Sequence, residues 1–318
     1  MIMLFFEKVV APVLDFRVET FLCVCRYMSF TAAAEALHIT QPAVSQHIRY
    51  LESAYGVRLF DREGKKVRLT PAGALLRRTM MTVQNDQQAM LRRMREAGSG
   101  RRTLSFGVTL TIGEYGMVHS LARFLKSHPD TDIRVRFGNT HDLLERLRRG
   151  AIDFALVEGY FASEEFDTMV DRTEPYIPVC AAGHRFRQEV QVLTDLLGER
   201  LLVRESGSGT REILEKNLAV RNLRLTDFAH LAEVENMHTI VSLLRMDCGI
   251  AFLYRAAVAQ GLRDGTLRQI PLEDFQMQHD FTFLWNRGSS FSREYREICG
   301  QLRSCPENFQ SQDLTEPL

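Results

Sequence analysis

The stretch from Ser29 to Arg62, S-F-T-A-A-A-E-A-L-H-I-T-Q-P-A-V-S-Q-H-I-R-Y-L-E-S-A-Y-G-V-R-L-F-D-R, constrains the fold more than any other part of the chain. It spells a short helix, a tight turn and a second helix with two unlike faces. Val44, Ile48, Leu51 and Tyr55 recur at steps of four, three and four, which predicts one apolar stripe. Gln41, Ser45, Arg49 and Glu52 fall on the opposite side at helical spacing. Short hydrogen-bonding side chains at a helix N-terminus suit the DNA major groove, where base edges offer donors and acceptors. The pattern is that of a DNA reader.

The flanking sequence completes a small module over residues 14–73. Leu14, Val18, Phe21, Cys25 and Met28 repeat at helical spacing and predict a first helix. Phe30, Ala34 and Leu37 give the next helix its core face, and Ser29 is a candidate N-cap. His38-Ile39-Thr40 makes the turn, Thr40 can cap the third helix, and Pro42 fits that helix's first turn. Gly56 should end it. Arg62-Glu63-Gly64-Lys65-Lys66-Val67-Arg68 then reads as a basic hairpin tip, the wing of a winged helix-turn-helix. From Pro71 to Glu96 one long helix is predicted, with Leu76, Met80, Val83, Gln87, Met90 and Met94 in a heptad-like seam. Residues 74–101 are expected to link and to dimerise the chain, with a helix packed on its own domain as the alternative, and to end in the hinge Gly98-Ser99-Gly100.

Beyond Arg102 the rhythm changes to alternating strands and helices, expected as parallel sheets in two Rossmann-like lobes. Strands are predicted at 103–109, 133–137, 154–157, 176–181, 201–203, 250–253 and 281–285, with helices running from 109 to Lys126, through Leu143, Leu144 and Leu147, and from Arg211. The first lobe is placed at 102–174 with 288–304, the second at 175–287. Residues 1–13 read as a leader, too short for a signal peptide and without a basic start, and 305–318 as a tail. No apolar run reaches the roughly 20 residues of a membrane span. The six cysteines form no Cys-x-x-Cys pair, so buried free thiols of a cytoplasmic protein are expected, with neither metal nor cofactor.

Net charge is zero over 318 residues but is unevenly spread. Residues 1–102 hold 16 Lys/Arg against 9 Asp/Glu (+7), and the remainder 24 against 31 (−7). A basic N-terminal third on an acidic body localises attraction for phosphates, though charge asymmetry is a weak signal by itself.

These residues resemble the LysR-type transcriptional regulators. The matching signature is Ala33-Ala34-x-x-Leu37, Gln41-Pro42-Ala43-Val44-Ser45, Ile48, Leu51-Glu52, Gly56, Leu59-Phe60 and Arg62, closed by Leu69-Thr70-x-x-Gly73. The resemblance covers about residues 14–304. It is closest to the branch concerned with sulfur assimilation and carbon fixation, through Gly138-Asn139-Thr140, Val157-Glu158-Gly159 and Arg204-Glu205-Ser206-Gly207-Ser208-Gly209-Thr210-Arg211. It implies double-stranded DNA as partner, a homodimer or homotetramer, RNA polymerase as a further partner, and a type II periplasmic-binding-protein-like body with a small effector between its lobes. By the same match Gln41, Pro42 and Ser45 meet base edges and Arg62 enters from the wing. Gln46 stands where many members carry arginine, and Arg49 lies on the same edge; Lys65, Lys66 and Arg68 are expected on phosphates, which set register without reading sequence.

Two body segments look built for an anion. Thr109-Leu110-Thr111-Ile112-Gly113 ends a strand where a helix begins, and Ser206-Gly207-Ser208-Gly209-Thr210 joins a strand to a helix. Glycines admit close backbone approach and a helix N-terminus adds partial positive charge. Arg204 or Arg211 can supply full charge, and Thr140 and Glu158 match cleft positions. Glu158 would repel an anion unless paired, and alternatively selects a ligand that carries donors. Thr111 and Thr140 serve equally well as plain helix caps, and Trp285 is expected in the core. The expected effector is an inorganic oxyanion or small carboxylate, and the resemblance to the sulfur-assimilation branch favours the oxyanion. An enzyme fits poorly: the Ser-Gly-Ser-Gly loop matches neither a P-loop nor a nucleophile elbow. The alternative of an anion-binding protein whose N-terminal module serves another interaction leaves that module's polar edge unexplained.

Overall fold

A computed structural model describes residues 14–63, 66–96 and 102–304, without the side chains of Arg62, Glu63 and Lys66. The leader, the wing tip, the glycine hinge and the tail lie outside the described residues. The chain forms two compact units. One holds the residues up to Arg92 together with Arg148–Gly150 and Gly288–Ser290, and the other holds the rest.

In the first unit α1 (Phe16–Tyr27), α2 (Phe30–Ala36) and α3 (Gln41–Tyr55) precede a hairpin, β1 (Phe60–Glu63) with β2 (Lys66–Leu69), and the long helix α4 (Pro71–Glu96). The caps fall where the sequence places them. Ser29 accepts from the Ala32 N–H at 3.2 Å, Thr40 from the Ala43 N–H at 3.3 Å, and Gly56 ends α3 at φ 68°. His38 turns the chain between α2 and α3 with φ 55°. Val44, Ile48 and Leu51 are buried against Phe21, Val24, Ala33 and Ala34, each large side chain worth about 1.5–3 kcal/mol of transfer free energy. The stripe stops there, because Tyr55 is 51% exposed. Met28 likewise leaves the expected repeat: it is the left-handed C-cap of α1.

The Leu69-Thr70-x-x-Gly73 motif has a structural cause. Thr70 Oγ1 donates to the Arg58 carbonyl (2.7 Å) and accepts from the Gly73 N–H (2.9 Å), capping α4. A Cβ on residue 73 would stand 2.0 Å from the Leu59 carbonyl oxygen. On α4, Leu76, Met80 and Val83 rest against the core of their own unit, while Met90 and Met94 are exposed. The seam read from the sequence is thus divided between two surroundings.

The second unit is built on β3 (Arg102–Thr109), α5 (Leu110–Tyr115), α6 (Val118–Ser127), β4 (Thr131–Gly138), α7 (Thr140–Arg148), β5 (Phe154–Val157) and β6 (Phe166–Ala181), followed by β7 (Arg200–Val203), α8 (Gly209–Val220), β8 (His230–Glu233), α9 (Met237–Arg245), β9 (Ala251–Tyr254), α10 (Arg255–Arg263), β10 (Leu267–Gln269), β11 (Met277–Asn286) and α11 (Ser292–Leu302). The curled main sheet runs β10-β6-β11-β5-β3-β4, with β9 also on β6. The sheet is mixed, which corrects the all-parallel expectation. β3 is parallel to β4 and β5, but β11 inserts antiparallel between β5 and β6. β6 pairs with β11 from Phe166 to Tyr176 and with β9 and β10 from Tyr176 to Ala181. One strand therefore serves both halves of the body, and the boundary expected at 174/175 lies inside it. The helix expected to run to Lys126 is broken at Gly116, where the Arg172 guanidinium lies 2.5 Å from the position of a Cβ. Trp285 is fully buried. No described helix is long and apolar enough to cross a membrane.

Candidate functional site

The polar edge of α3 is accessible. Gln41, Pro42, Gln46 and Arg49 are exposed and Ser45 is half-buried. Gln41 Nε2 donates to Ser45 Oγ (2.8 Å), and Arg49 Nε donates to the Ser45 carbonyl (3.3 Å), so these side chains are held in one array along the helix. With Arg58 they border a depression of about 520 Å³ whose apolar wall is Phe30, Ile48 and Phe60. Arg58 belongs to no motif of the signature. Its position between Gly56 and the wing was the available signal. Glu52 serves the fold: its carboxylate accepts from the Leu59 N–H (2.8 Å) and Phe60 N–H (3.4 Å), fastening the wing to α3. Arg68 is exposed on β2. Lys65 and the side chains of Arg62 and Lys66 lie outside the described residues.

In the body, the segments named from sequence come together. Thr109 holds the N-cap position of α5 without a side-chain capping bond, which corrects the reading of Thr111 as the cap. Thr109 Oγ1 instead donates to Glu158 Oε2. Thr210 Oγ1, in the first turn of α8, donates to Glu158 Oε1 at 3.1 Å and lies 3.4 Å from Thr111 Oγ1. Thr140 Oγ1 donates to the Glu158 carbonyl at 2.6 Å. All five side chains are buried, Glu158 being only 2% exposed. Burial pushes the Glu158 carboxyl up from its ordinary range, and the Thr109, Thr210 and Thr111 hydroxyls and the nearby Arg204 charge oppose that rise.

The Ser206–Thr210 loop closes the other side. Ser206 and Gly207 are exposed, and Gly207 sits at φ 89°. Ser208 is buried at the N-cap of α8 and makes no capping bond with its side chain. Gly209 has no room for a side chain: a Cβ there would stand 2.2 Å from the Glu158 carbonyl oxygen and 2.7 Å from Thr140 Oγ1. Arg204 is buried but committed, gripping Glu205 through Nε (2.8 Å) and Nη2 (3.0 Å). Arg211 is committed as well, donating to Glu215, Glu233 and the Arg204 carbonyl. Two of the expected anion-binding hydroxyls, those of Thr109 and Thr210, are thus already bonded to a carboxylate of the chain itself.

Two tyrosines, unmarked by any motif, complete the surroundings. Tyr176 donates to the Thr210 carbonyl at 2.9 Å. Tyr254 faces it across the β6–β9 ladder, with ring centroids 5.2 Å apart. Its hydroxyl is fully buried and meets no hydrogen-bond partner. Burial, then the Glu158 charge, hold that phenol well above its ordinary range.

The comparisons with known proteins agree with this architecture. Residues 17–74 match the bacterial regulatory helix-turn-helix model of the lysR family, and residues 97–304 match the LysR substrate binding domain. The chain is 28% identical to the HTH-type transcriptional regulator CysL of Bacillus subtilis, over 93% of this chain and 98% of CysL. It is 27% identical to the HTH-type transcriptional activator CmpR of Synechocystis, over 86% of this chain and 90% of CmpR. The regulatory domain of Synechocystis CcmR, solved in complex with 2-PG, superposes with a TM-score of 0.57 at 16% identity, covering 66% of this chain and 99% of that one. The last likeness is one of fold. With a matched helix-turn-helix, a matched effector-binding body and regulators aligned over nearly the whole length, the chain belongs to the LysR family and is a DNA-binding transcriptional regulator.

Proposed function

We propose that Gln41, Pro42, Ser45, Gln46 and Arg49 read base edges in the major groove of an operator, with Arg62 entering from the wing and Lys65, Lys66 and Arg68 on phosphates. The observation that carries this is the ordered, accessible polar edge of α3 above a fully buried apolar stripe. Arg58 joins the phosphate contacts from the rim of the same depression. Replacing Ser45 by alanine should cost about 1–3 kcal/mol on the specific operator and little on random DNA. Anisotropy titrations on both duplexes measure it, and equal losses on the two would refute base reading by Ser45. Binding should also weaken steeply with salt through counterion release.

The regulator acts without catalysis. It works in the cytoplasm as a homodimer or homotetramer through the linker helix and body, on promoters where RNA polymerase is its further partner. Its effector is a small anionic molecule held where the half on β3–β5 (102–174 with 288–304) meets the half on β7–β9 (175–287). Thr109, Thr111, Thr140, Glu158, Arg204 and the Ser206–Thr210 loop line that place, and the N-terminus of α8 supplies positive potential. The 2-PG bound to CcmR supports a small ligand on this fold. A thermal-shift screen of small acids on the full chain tests it, since a specific ligand raises Tm by mass action. Silence from oxyanions and carboxylates alike would remove the anionic effector.

A further inference from the structure

A buried carboxylate that accepts hydrogen bonds on both oxygens has the same needs as a bound oxyanion: neutral donors, a nearby cation and exclusion of water. Glu158 meets all of them. Thr109 and Thr210 donate to its two oxygens, Thr111 stands beside Thr210, and Arg204 lies close enough for its charge to be felt. The two donors that flank it come from opposite halves of the body. The same loop brings the halves into backbone contact, since a Cβ on Gly159 would stand 2.6 Å from Gly209 Cα. Two further bonds span the junction: the His141 N–H donates to the Gly207 carbonyl at 3.3 Å, and Asn139 Nδ2 to Glu205 Oε1 at 3.3 Å.

We propose that Glu158 is a ligand carried in cis: its carboxylate fills the anion slot formed by Thr109, Thr111 and Thr210 and clasps the two halves together. The inference rests on the reading of this junction as the effector site, and it narrows the class of effector. A bare oxyanion finds those hydroxyls taken and meets a net negative site, because Arg204 is neutralised by Glu205 and Glu158 remains. A molecule that enters must present N–H or O–H donors to Glu158, which has lone pairs left after its two threonine bonds. The unpartnered Tyr254 hydroxyl offers a donor to the same molecule. The effector is therefore a small acid that also bears an amino or hydroxyl group.

The test swaps the tethered carboxylate for a free one. Glu158→Ala in the full chain removes the side chain and leaves the threonine donors in place. Thermal shifts are read against millimolar sodium sulfate and sodium propionate at matched ionic strength, with sodium chloride as reference. The variant should melt below wild type and gain a saturable, several-degree rise with sulfate or propionate, while wild type gains none. A saturable sulfate response of wild type equal to that of the variant would overturn the proposal, as would a folded variant that responds to neither anion. If Glu158→Ala accumulates only as aggregate, expression and refolding with propionate should recover soluble, DNA-binding protein, and failure of that rescue counts against the slot. A second arm compares amino and hydroxy acids with donor-free acids of equal size on wild type and Glu158→Gln. Shifts confined to the donor-bearing acids and lost in Glu158→Gln uphold the ligand class, and equal shifts from the donor-free acids sink it. Anion rescue of Glu158→Ala with wild type silent to every acid would uphold the slot and defeat the effector reading instead.

Discussion

Replacing Gly209 by alanine probes the junction with a single methyl group. Gly209 opens α8 with an ordinary helical backbone, so alanine carries no conformational penalty there and even gains helix propensity, by at most about 1 kcal/mol. The cost comes from across the junction. The added Cβ would stand 2.2 Å from the Glu158 carbonyl oxygen and 2.7 Å from Thr140 Oγ1, where ordinary contact begins at 3.4 Å. The first contact is with backbone, which cannot swing aside as a long side chain would. Relief requires the two halves to part by about 1 Å, at the roughly 1–3 kcal/mol typical of overpacking. It also strains the Thr140–Glu158 hydrogen bond, worth about 1 kcal/mol. The expected net loss is about 1–3 kcal/mol, or roughly 3–10 °C in Tm for a body of this size. Calorimetry of the full chain reads it as the body transition. Gly300→Ala is the internal control: Gly300 lies within α11 with nothing within 4 Å of a Cβ, so alanine should hold or raise Tm. Should Gly209→Ala melt with wild type while Gly300→Ala rises, the close approach of α8 to Glu158 is wrong, and the clasp with it.

Other outcomes are expected from the same reasoning. Gly73→Ala places a Cβ 2.0 Å from the Leu59 carbonyl; it should abolish operator binding through loss of the small unit while the body transition persists in calorimetry. Arg68→Gln should weaken binding to all duplexes alike and lower the slope of log K against log salt by about 1, the signature of one phosphate contact; a change confined to one operator sequence would contradict that. In a Cys305→Ser background, native labelling with a thiol reagent at pH 8 should modify Cys248 first, because it is the only half-exposed cysteine among those described. Cys25, pushed up to about 12 by burial, and Cys180, pushed up to about 11, should react only on unfolding. Prompt native labelling at Cys25 or Cys180 would overturn their burial.

The small unit was largely legible because its determinants are local. Ser29, Thr40 and Gly56 act on neighbours within a turn or two, and the Val44–Ile48–Leu51 stripe needs only a helical period to be seen. Where the reading failed, the deciding contact is remote. Tyr55 fits the stripe by spacing, but the hydrophobic core ends before it. The lobe boundary expected at 174/175 falls in the segment Asp171-Arg172-Thr173-Glu174-Pro175, which lies within the sixteen residues of β6. Its charges are tolerated because they are paired: Arg172 Nε donates to Glu174, Glu174 accepts from the Ala256 N–H, and Asp171 accepts from the Ser304 N–H. Two of those partners, Ala256 and Ser304, are remote in sequence. The same holds for the body site. Its threonines and the glycine-rich loop carry local signals, whereas Tyr176 and Tyr254 are placed only by the ladder between β6 and β9.

The energetics of the clasp decide what kind of molecule can work it. Parting the two halves breaks the Thr210 bond to Glu158 and the two polar contacts at Gly207 and Glu205, about 1.5–3 kcal/mol for the bond to a charged group and about 1 kcal/mol for each of the others. It also leaves a buried carboxylate with fewer donors, which costs several kcal/mol more. Moving a two-state balance from 1:99 to 99:1 needs a differential affinity of about 5.5 kcal/mol. A ligand without donors gains nothing from Glu158 in the open arrangement and meets its charge in the closed one, so it has no lever on the equilibrium. A ligand that donates to Glu158 supplies what Thr210 withdraws, and its binding energy then falls on one arrangement rather than on both. The operator-bound and free forms should accordingly differ in affinity for donor-bearing acids by the same factor that those acids change operator affinity, a reciprocity that paired titrations can check.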